Sequence, residues 1–311
     1  MTPWRAVLAA ALVAIGLSLP ATAAAQATLA DALGPLDVSA LATSGERLYV
    51  GSFDRGLFVV ERDGQVHASA DPAVNPHINA LAWSERDRSL WIGTARGLVR
   101  CPENGGCRRT ATEASVHALL VSSTGALLAG GDDGLVVVER DTARVFGKKQ
   151  GAAFRSVWAL AEGGGELFVG TTSGLFFGAP SAFSGRGQAL GRAALVLGTL
   201  PDDWVTALAY RDGTLFAGTY SAGVAGFRVD ARSLAPSSVD PSLGYVNPAG
   251  LALLPDGRLA IATMDGLRCG VLGNTARLST RASDVTAISA NPTGGYWIAT
   301  RLGLERRTGF D

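Results

Sequence analysis

Histidine, cysteine and methionine are scarce in this 311-residue chain, which has three of the first, three of the second and two of the third. His67, His77 and His117 form no close pair and no His-Glu-x-x-His run occurs. Metal-assisted hydrolysis needs several carboxylates or histidines meeting at one point, and the sequence offers no such motif. No metal and no other cofactor is therefore expected. An excess of either charge is missing too: Lys plus Arg and Asp plus Glu stand at 27 each. A nucleic-acid partner would want a basic surface, so none is expected. Long apolar runs are absent after the first twenty residues, as are interdomain linkers.

The first 25 residues carry one base, Arg5, then the apolar run AVLAAALVAIGLSL, Pro20 and small residues offering Ala23-x-Ala25 or Ala25-x-Ala27 to a signal peptidase. The run is short for a membrane span of about 20 residues. Residues 1–25 read as a signal peptide and 26–311 as the mature chain, not membrane-spanning and periplasmic or secreted. No cysteine follows the cleavage region, so a lipid anchor is not expected.

The chain is built on a repeated stretch, seen as LYVGSFDRGLF from Leu48, LWIGTARGLV from Leu90, LLAGGDDGLV from Leu127, LFVGTTSGLF from Leu167, LFAGTYSAGVA from Leu215, LAIATMDGLR from Leu259 and YWIATRLGLE from Tyr296. An apolar strand ends in Gly-Thr or a variant, two or three residues follow, and a glycine opens the next strand: a hairpin whose closing residue takes a left-handed conformation that Gly adopts without strain. These glycines, from Gly56 to Gly303, lie 41, 37, 40, 49, 43 and 37 residues apart. The preceding hydroxyl, as in Thr94 or Thr171, is expected to bond the backbone two residues on, a structural role. Gly131 replaces it in the third copy.

Upstream of each hairpin runs a second strand: VSAL from Val38, INAL from Ile78, VHAL from Val116, VWAL from Val157, VTAL from Val205, PAGLAL from Pro248 and VTAI from Val285. A third strand follows each hairpin glycine and a weaker fourth closes the unit. Four short strands with their turns fill about 40 residues. Seven such units in line, each too small to bury its own faces, specify an all-β fold, a seven-bladed β-propeller of four-stranded antiparallel blades. Neither the Gly-His nor the Trp-Asp signature of WD40 repeats occurs, and the period and missing Asn ladder exclude leucine-rich repeats.

The pattern V-x-A-L, spacer, G-x-L-W-I-G-T-x-x-G-L, fullest from Ile78 to Leu98, resembles the two-component regulator propeller repeat of bacterial sensors. That resemblance implies a periplasmic sensing module, often placed ahead of a membrane helix and a histidine kinase. Neither a kinase nor a linking β-domain is present in this chain, so the resemblance carries the fold further than the role.

Because strands alternate in direction, the start of V-x-A-L and the Gly-Thr hairpin share one face of the disc, near its axis. Candidate ligand-binding residues there are Trp158, His117, Phe53, Tyr220, Arg96, Arg301, Asn79 and Asp132. The aromatics, with Trp204, offer flat surfaces for an unidentified small molecule, a saccharide or an extended peptide; the plainer reading packs them between blades. Mixed Arg and Asp residues suit an uncharged or zwitterionic ligand better than a polyanion. Three roles stand open: a sensing or binding module, an interaction module for an envelope protein, and a lactonase-like, metal-dependent hydrolase or lyase with its site in the channel. No catalytic residue can be singled out.

Two expectations are testable at once. Cys101 and Cys107 bracket the turn PENGG and should form a disulfide, while Cys269 stays reduced; alkylation before and after reduction should reveal one protected pair, and three reactive thiols would refute the pairing. The seventh repeat ends after its third strand, so ATLADAL from Ala27 should pair along Leu304–Arg307 and fasten the termini together. Deleting residues 26–33 should then lower Tm clearly; an unchanged Tm would refute this closure.

Overall fold

The computed structural model describes residues 33–310, apart from 181–199 and the positions 46, 111, 140–141, 148, 150–151, 153, 231–232, 281 and 292–293. Its strands form seven antiparallel sheets, one per repeat. The first blade comprises β1 (Val38–Thr43), β2 (Leu48–Ser52), β3 (Leu57–Val60) and β4 (Val66–Ala68); the second comprises β5 (Ile78–Ser84), β6 (Ser89–Thr94), β7 (Gly97–Pro102) and the two-residue β8 (Arg108–Arg109). The third holds β9 (Val116–Val121), β10 (Leu127–Gly131), β11 (Gly134–Glu139) and β12 (Thr142–Phe146); the fourth holds β13 (Val157–Gly163), β14 (Glu166–Thr171) and β15 (Gly174–Gly178). The fifth follows as β16 (Val205–Arg211), β17 (Thr214–Thr219), β18 (Val224–Asp230) and β19 (Ser233–Asp240), the sixth as β20 (Val246–Leu253), β21 (Leu259–Thr263), β22 (Gly266–Val271) and β23 (Asn274–Leu278). The seventh consists of β24 (Val285–Ala290), β25 (Tyr296–Thr300) and β26 (Gly303–Arg307). No described helix is long and apolar enough to cross a membrane.

The repeated residues do what their chemistry suggests. All seven closing glycines have φ between +76° and +129°. At Thr171 the hydroxyl accepts from the Ser173 N–H at 3.0 Å and donates to the Gly174 carbonyl at 2.8 Å. Gly131 lacks this hydroxyl for a local reason: a Cβ there would stand 2.2 Å from the Ser115 carbonyl oxygen.

A different glycine controls the ring. In β2, β6, β10, β14 and β17 the glycine before the hydroxyl position touches the leading residue of the next blade's inner strand, and a Cβ on it would meet Ile78, Val116, Val157, Val205 or Val246 at 2.4 to 2.7 Å. At these five interfaces the first apolar residue of the inner strand thus seats in a notch that the preceding blade leaves by having no side chain. Such contacts build buried clusters that run from blade to blade; one joins Ile78, Leu81 and Ile92 to Ala40, Tyr49 and Leu57. Blades six and seven carry Ala262 and Ala299 at this position, packed in clusters with Val285 and Val38 respectively.

The last interface closes the ring. Leu33, Leu36 and Val38 pack with Ala287, Ala299 and Leu304. Thr286 Oγ1 donates to the Val38 carbonyl at 2.6 Å. The proposed fourth strand of blade seven, starting at Ala27, lies outside the described residues up to Leu33. A disulfide joins Cys101 in β7 to Cys107 ahead of β8, and Cys269 is buried among Ile288, Ile298 and Phe310.

The sixth inner strand differs from its sequence reading. It starts at Val246 rather than Pro248, and Asn247 stands where the other repeats have the x of V-x-A-L. The stretch Pro248-Ala249-Gly250 interrupts pairing with β21, whose register jumps between Val246 and Leu251, and Ala249 has φ +55°.

Filling one notch should therefore damage the ring. Gly130→Ala, whose Cβ would meet Val157 Cγ1 at 2.4 Å, should cost about 1–3 kcal/mol. The double variant Gly130→Ala with Val157→Ala should recover part of that loss. Strict additivity of the two changes in denaturant titrations would refute the contact.

Candidate functional site

Two recurring features aim side chains at the axis on the hairpin face. The first is a bulge. In blade after blade the inner and second strands change register across the x of V-x-A-L, as between Val157 and Ala159 or Val205 and Ala207. The extra residue is left out of the ladder and its side chain is re-aimed. Four of these residues reach the next blade: Asn79 Nδ2 donates to the Val116 carbonyl at 2.9 Å, Thr206 Oγ1 to Val246 at 2.6 Å, Asn247 Nδ2 to Val285 at 2.6 Å and Thr286 Oγ1 to Val38 at 2.6 Å. His117 and Trp158 occupy the same slot but stack on each other, with centroids 4.2 Å apart and planes 7° from parallel.

The second feature is a clamp. The first residue of a hairpin tip donates its backbone N–H to the carbonyl just before the neighbouring inner strand: Phe53 to Asp37, Ala95 to His77, Asp132 to Ser115, Thr172 to Ser156, Tyr220 to Trp204 and Arg301 to Asp284, over 2.9 to 3.4 Å. Each clamp brings together one side chain from the hairpin and one from the loop before the inner strand. In blade five the pair is Trp204 stacked on Tyr220 at 4.2 Å. In blade seven it is the Arg301–Asp284 ion pair at 2.5 Å.

Between these features lies a cavity of about 580 Å³. One wall is aromatic. It holds His117, Trp158, Tyr220 and Tyr245; Trp204, not itself a lining residue, stands edge-on to Trp158 at 5.2 Å and stacks on Tyr220, and Tyr245 meets Tyr220 edge-on at 5.1 Å. The facing wall holds Phe53 and His77, in edge contact at 5.7 Å, with Arg301 lying 5.2 Å over the Phe53 ring. Ser39, Asn79, Asn247 and Thr286 also line it. Below, a smaller cavity of about 120 Å³ follows the inner strands down the channel.

Hydrogen bonds hold the aromatic wall in place. Trp158 Nε1 donates to Ser156 Oγ at 3.1 Å, Ser156 Oγ donates to Asp132 Oδ1 at 3.2 Å, and His117 Nε2 meets the same Asp132 oxygen at 2.8 Å. At the other end Asp202 accepts from the Trp204 N–H at 3.0 Å and from both the N–H and Oγ of Ser221 at 2.9 and 2.7 Å. Burial opposes ionisation of Asp202, but these hydrogen bonds outweigh it and hold its carboxyl below the usual aspartate range. Burial, with Tyr220 and Asp284 nearby, pushes the Tyr245 phenol up, so it stays neutral. The hydrogen bond from Arg301 to Asp284 raises the guanidinium pKa further, despite some burial.

Of the residues singled out in the sequence, Phe53, Asn79, His117, Trp158, Tyr220 and Arg301 line the cavity together. Asp132 touches it through His117. Arg96 sits exposed on the second hairpin, its N–H bonded to Thr94 Oγ1, and is not among the lining residues. Sequence reasoning missed His77, Tyr245, Asn247, Met264 and Asp284, which also line it. Their signal was available: His77, Tyr245 and Asp284 directly precede the first residue of an inner strand.

No protein-family model and no curated protein matches the chain. Solved structures do. The extracellular domain of BT3049 from B. thetaiotaomicron, described as a hybrid two-component system, aligns with a TM-score of 0.71 at 14% identity, over 86% of this chain and 38% of that one. The chain has the fold of these extracellular two-component-system propellers. PorZ, an essential surface component of the type-IX secretion system of Porphyromonas gingivalis, aligns at 0.63 with 16% identity, over 88% of this chain and 37% of that one. Streptogramin B lyase aligns at 0.65 with 11% identity, over 88% and 95%. The propeller spans less than two fifths of the first two proteins. At such identities the likeness is one of fold.

The Asp202 clamp predicts a pH effect of defined sign. Its pKa is lower folded than unfolded, so its contribution is complete above the ordinary aspartate value of about 4 and disappears as pH falls through the depressed folded value. The Tm of the wild type should exceed that of Asp202→Asn at neutral pH, and the gap should close in acid. A gap that widens on acidification would refute the assignment.

Proposed function

We propose that this protein is a secreted or periplasmic recognition module, non-catalytic, that binds a ligand or a segment of an envelope protein on the hairpin face of the propeller. The observation carrying this is the aromatic wall from His117 to Tyr245, ordered by its own hydrogen bonds and opening onto a cavity of about 580 Å³. A rigid ring with variable loops converging on one face is a common way to build a binding site. The signal-like first 25 residues support export, as do neighbours in fold that are extracellular sensor domains and a surface secretion component.

A catalytic reading, as a hydrolase or lyase, has one observation in its favour, the His117–Asp132 hydrogen bond at the cavity edge, which orients an imidazole as a general base would need. The same bond also fixes His117 against Trp158, and that role accounts for it without chemistry.

A thermal-shift screen against oligosaccharides, short peptides and calcium tests the proposal, because a ligand that binds the folded state raises Tm. For a ligand so found, Trp158→Ala should weaken binding at least about tenfold, as loss of a buried aromatic anchor does. Arg301→Ala should change affinity less, with the fold retained in both. Unchanged affinity in Trp158→Ala and Tyr220→Ala, with losses on substituting Arg211 or Asp256 in the opposite turns, would place the site on the other face.

A further inference from the structure

Charges on the hairpin face look mixed in sequence, but the structure removes most of the positive ones from the cavity. Arg55 turns outward and lies 5.4 Å over the Phe58 ring. Arg96 is not among the lining residues. Arg301 remains, and two carboxylates neutralise it: Asp284 Oδ2 at 2.5 Å from its Nε and Asp37 Oδ2 at 2.8 Å from its Nη1. The trio therefore carries one net negative charge. Asp132 adds another through its bond to His117, and Asp202 and Asp265 stand on the loops beside Tyr220 and Met264.

Two further observations bear on a ligand. Ser39 lines the cavity, is 6% exposed, and its Oγ has no hydrogen-bond partner. Asp37 Oδ1, two residues earlier in the chain, is likewise buried and unpartnered, although Asp37 is not among the lining residues. Asp37 Oδ1 is an acceptor without a donor and the Ser39 hydroxyl, which can accept or donate, is unpaired as well, and a buried polar atom left unpaired is costly until a partner arrives. Trp158, Tyr220 and Tyr245 line the same cavity as Ser39.

Aromatic faces attract cations through their quadrupole, and carboxylates nearby add to the attraction. We infer that the cavity receives a cationic donor group, an ammonium or guanidinium, seated against the Trp158–Tyr220–Tyr245 wall and turned toward Ser39 and Asp284. This rests on the hairpin face being the binding face and names the ligand class that face takes. Such a group is carried by a small organic ammonium or by a lysine or arginine side chain of a peptide.

Calorimetric titration of the full protein separates these cases. The probes are tetramethylammonium, N-acetyl-lysine methylamide, N-acetyl-arginine methylamide, the uncharged isostere N-acetyl-norleucine methylamide, and cellotetraose as a neutral saccharide. The lysine or arginine probe, or tetramethylammonium, should bind at least about tenfold more tightly than norleucine, and binding should weaken as salt rises from about 20 to about 200 mM. Tighter binding of the amino-acid probes assigns the group to a peptide, and tighter binding of tetramethylammonium assigns it to a small ammonium compound. Arg301→Gln, which removes the competing cation, should strengthen cation binding; a melting curve checks its fold.

Cellotetraose binding without cation binding would overturn this inference while leaving the hairpin face as the site. Equal binding of norleucine and lysine probes would also overturn it. Silence from every probe, in wild type and in Arg301→Gln, would overturn both this inference and the binding face on which it rests.

Discussion

Each interface between successive blades depends on one contact, in which an apolar side chain at the head of an inner strand seats in the notch left by a glycine or alanine of the blade before. A Cβ at Gly51, Gly93, Gly130, Gly170 or Gly218 would overlap its neighbour by about an ångström. Interiors this dense do not absorb such an intrusion, so the notch sets how closely blades approach. The same residue that docks, Ile78 or Val116 for example, is followed immediately by the bulged x residue. Docking therefore fixes where the x side chain emerges. Packing of the ring and placement of the site are consequences of one geometric requirement, read at adjacent positions.

The clamp between hairpin tip and inner-strand loop adds the second coordinate. It pairs side chains whose identities vary from blade to blade over a backbone that does not, giving a stacked Trp204–Tyr220 pair in one blade and the Arg301–Asp284 ion pair in another. The x residues divide along the same line. Asn79, Thr206, Asn247 and Thr286 tie blades together through a backbone carbonyl, whereas His117 and Trp158 have given up that bond and stack across their interface instead. Blades three and four thus spend a structural position on an aromatic surface. That departure from the repeat sets this arc of the ring apart and is why the proposed binding wall is placed there.

Sequence patterns revealed the ring because its determinants are local: a left-handed residue closing a hairpin demands Gly, and alternation marks the strands. The notch glycines were visible in the repeat, yet their reason was not, because the side chain they accommodate belongs to the next blade, 23 to 35 residues on. Asn247 escaped because Pro248-Ala249-Gly250 breaks the V-x-A-L pattern just after it. Cavity residues in hairpins were found through their position in the repeat, whereas His77, Tyr245 and Asp284 were overlooked because the loops before inner strands vary in length and carry no pattern of their own. The balance of charge was not legible at all: whether Arg301 serves a ligand or two aspartates depends on Asp37, 264 residues away in the chain.

The most direct test of the binding face is to follow the indole N–H resonances while titrating the ligand that raises Tm most. Trp158 lines the cavity and Trp204 packs against Trp158 and Tyr220, whereas Trp83, Trp91 and Trp297 sit toward the opposite ends of their strands. The account predicts that Trp158 and Trp204 shift and the other three stay. Shifts confined to Trp83, Trp91 and Trp297, with Trp158 unmoved at saturation, would contradict it.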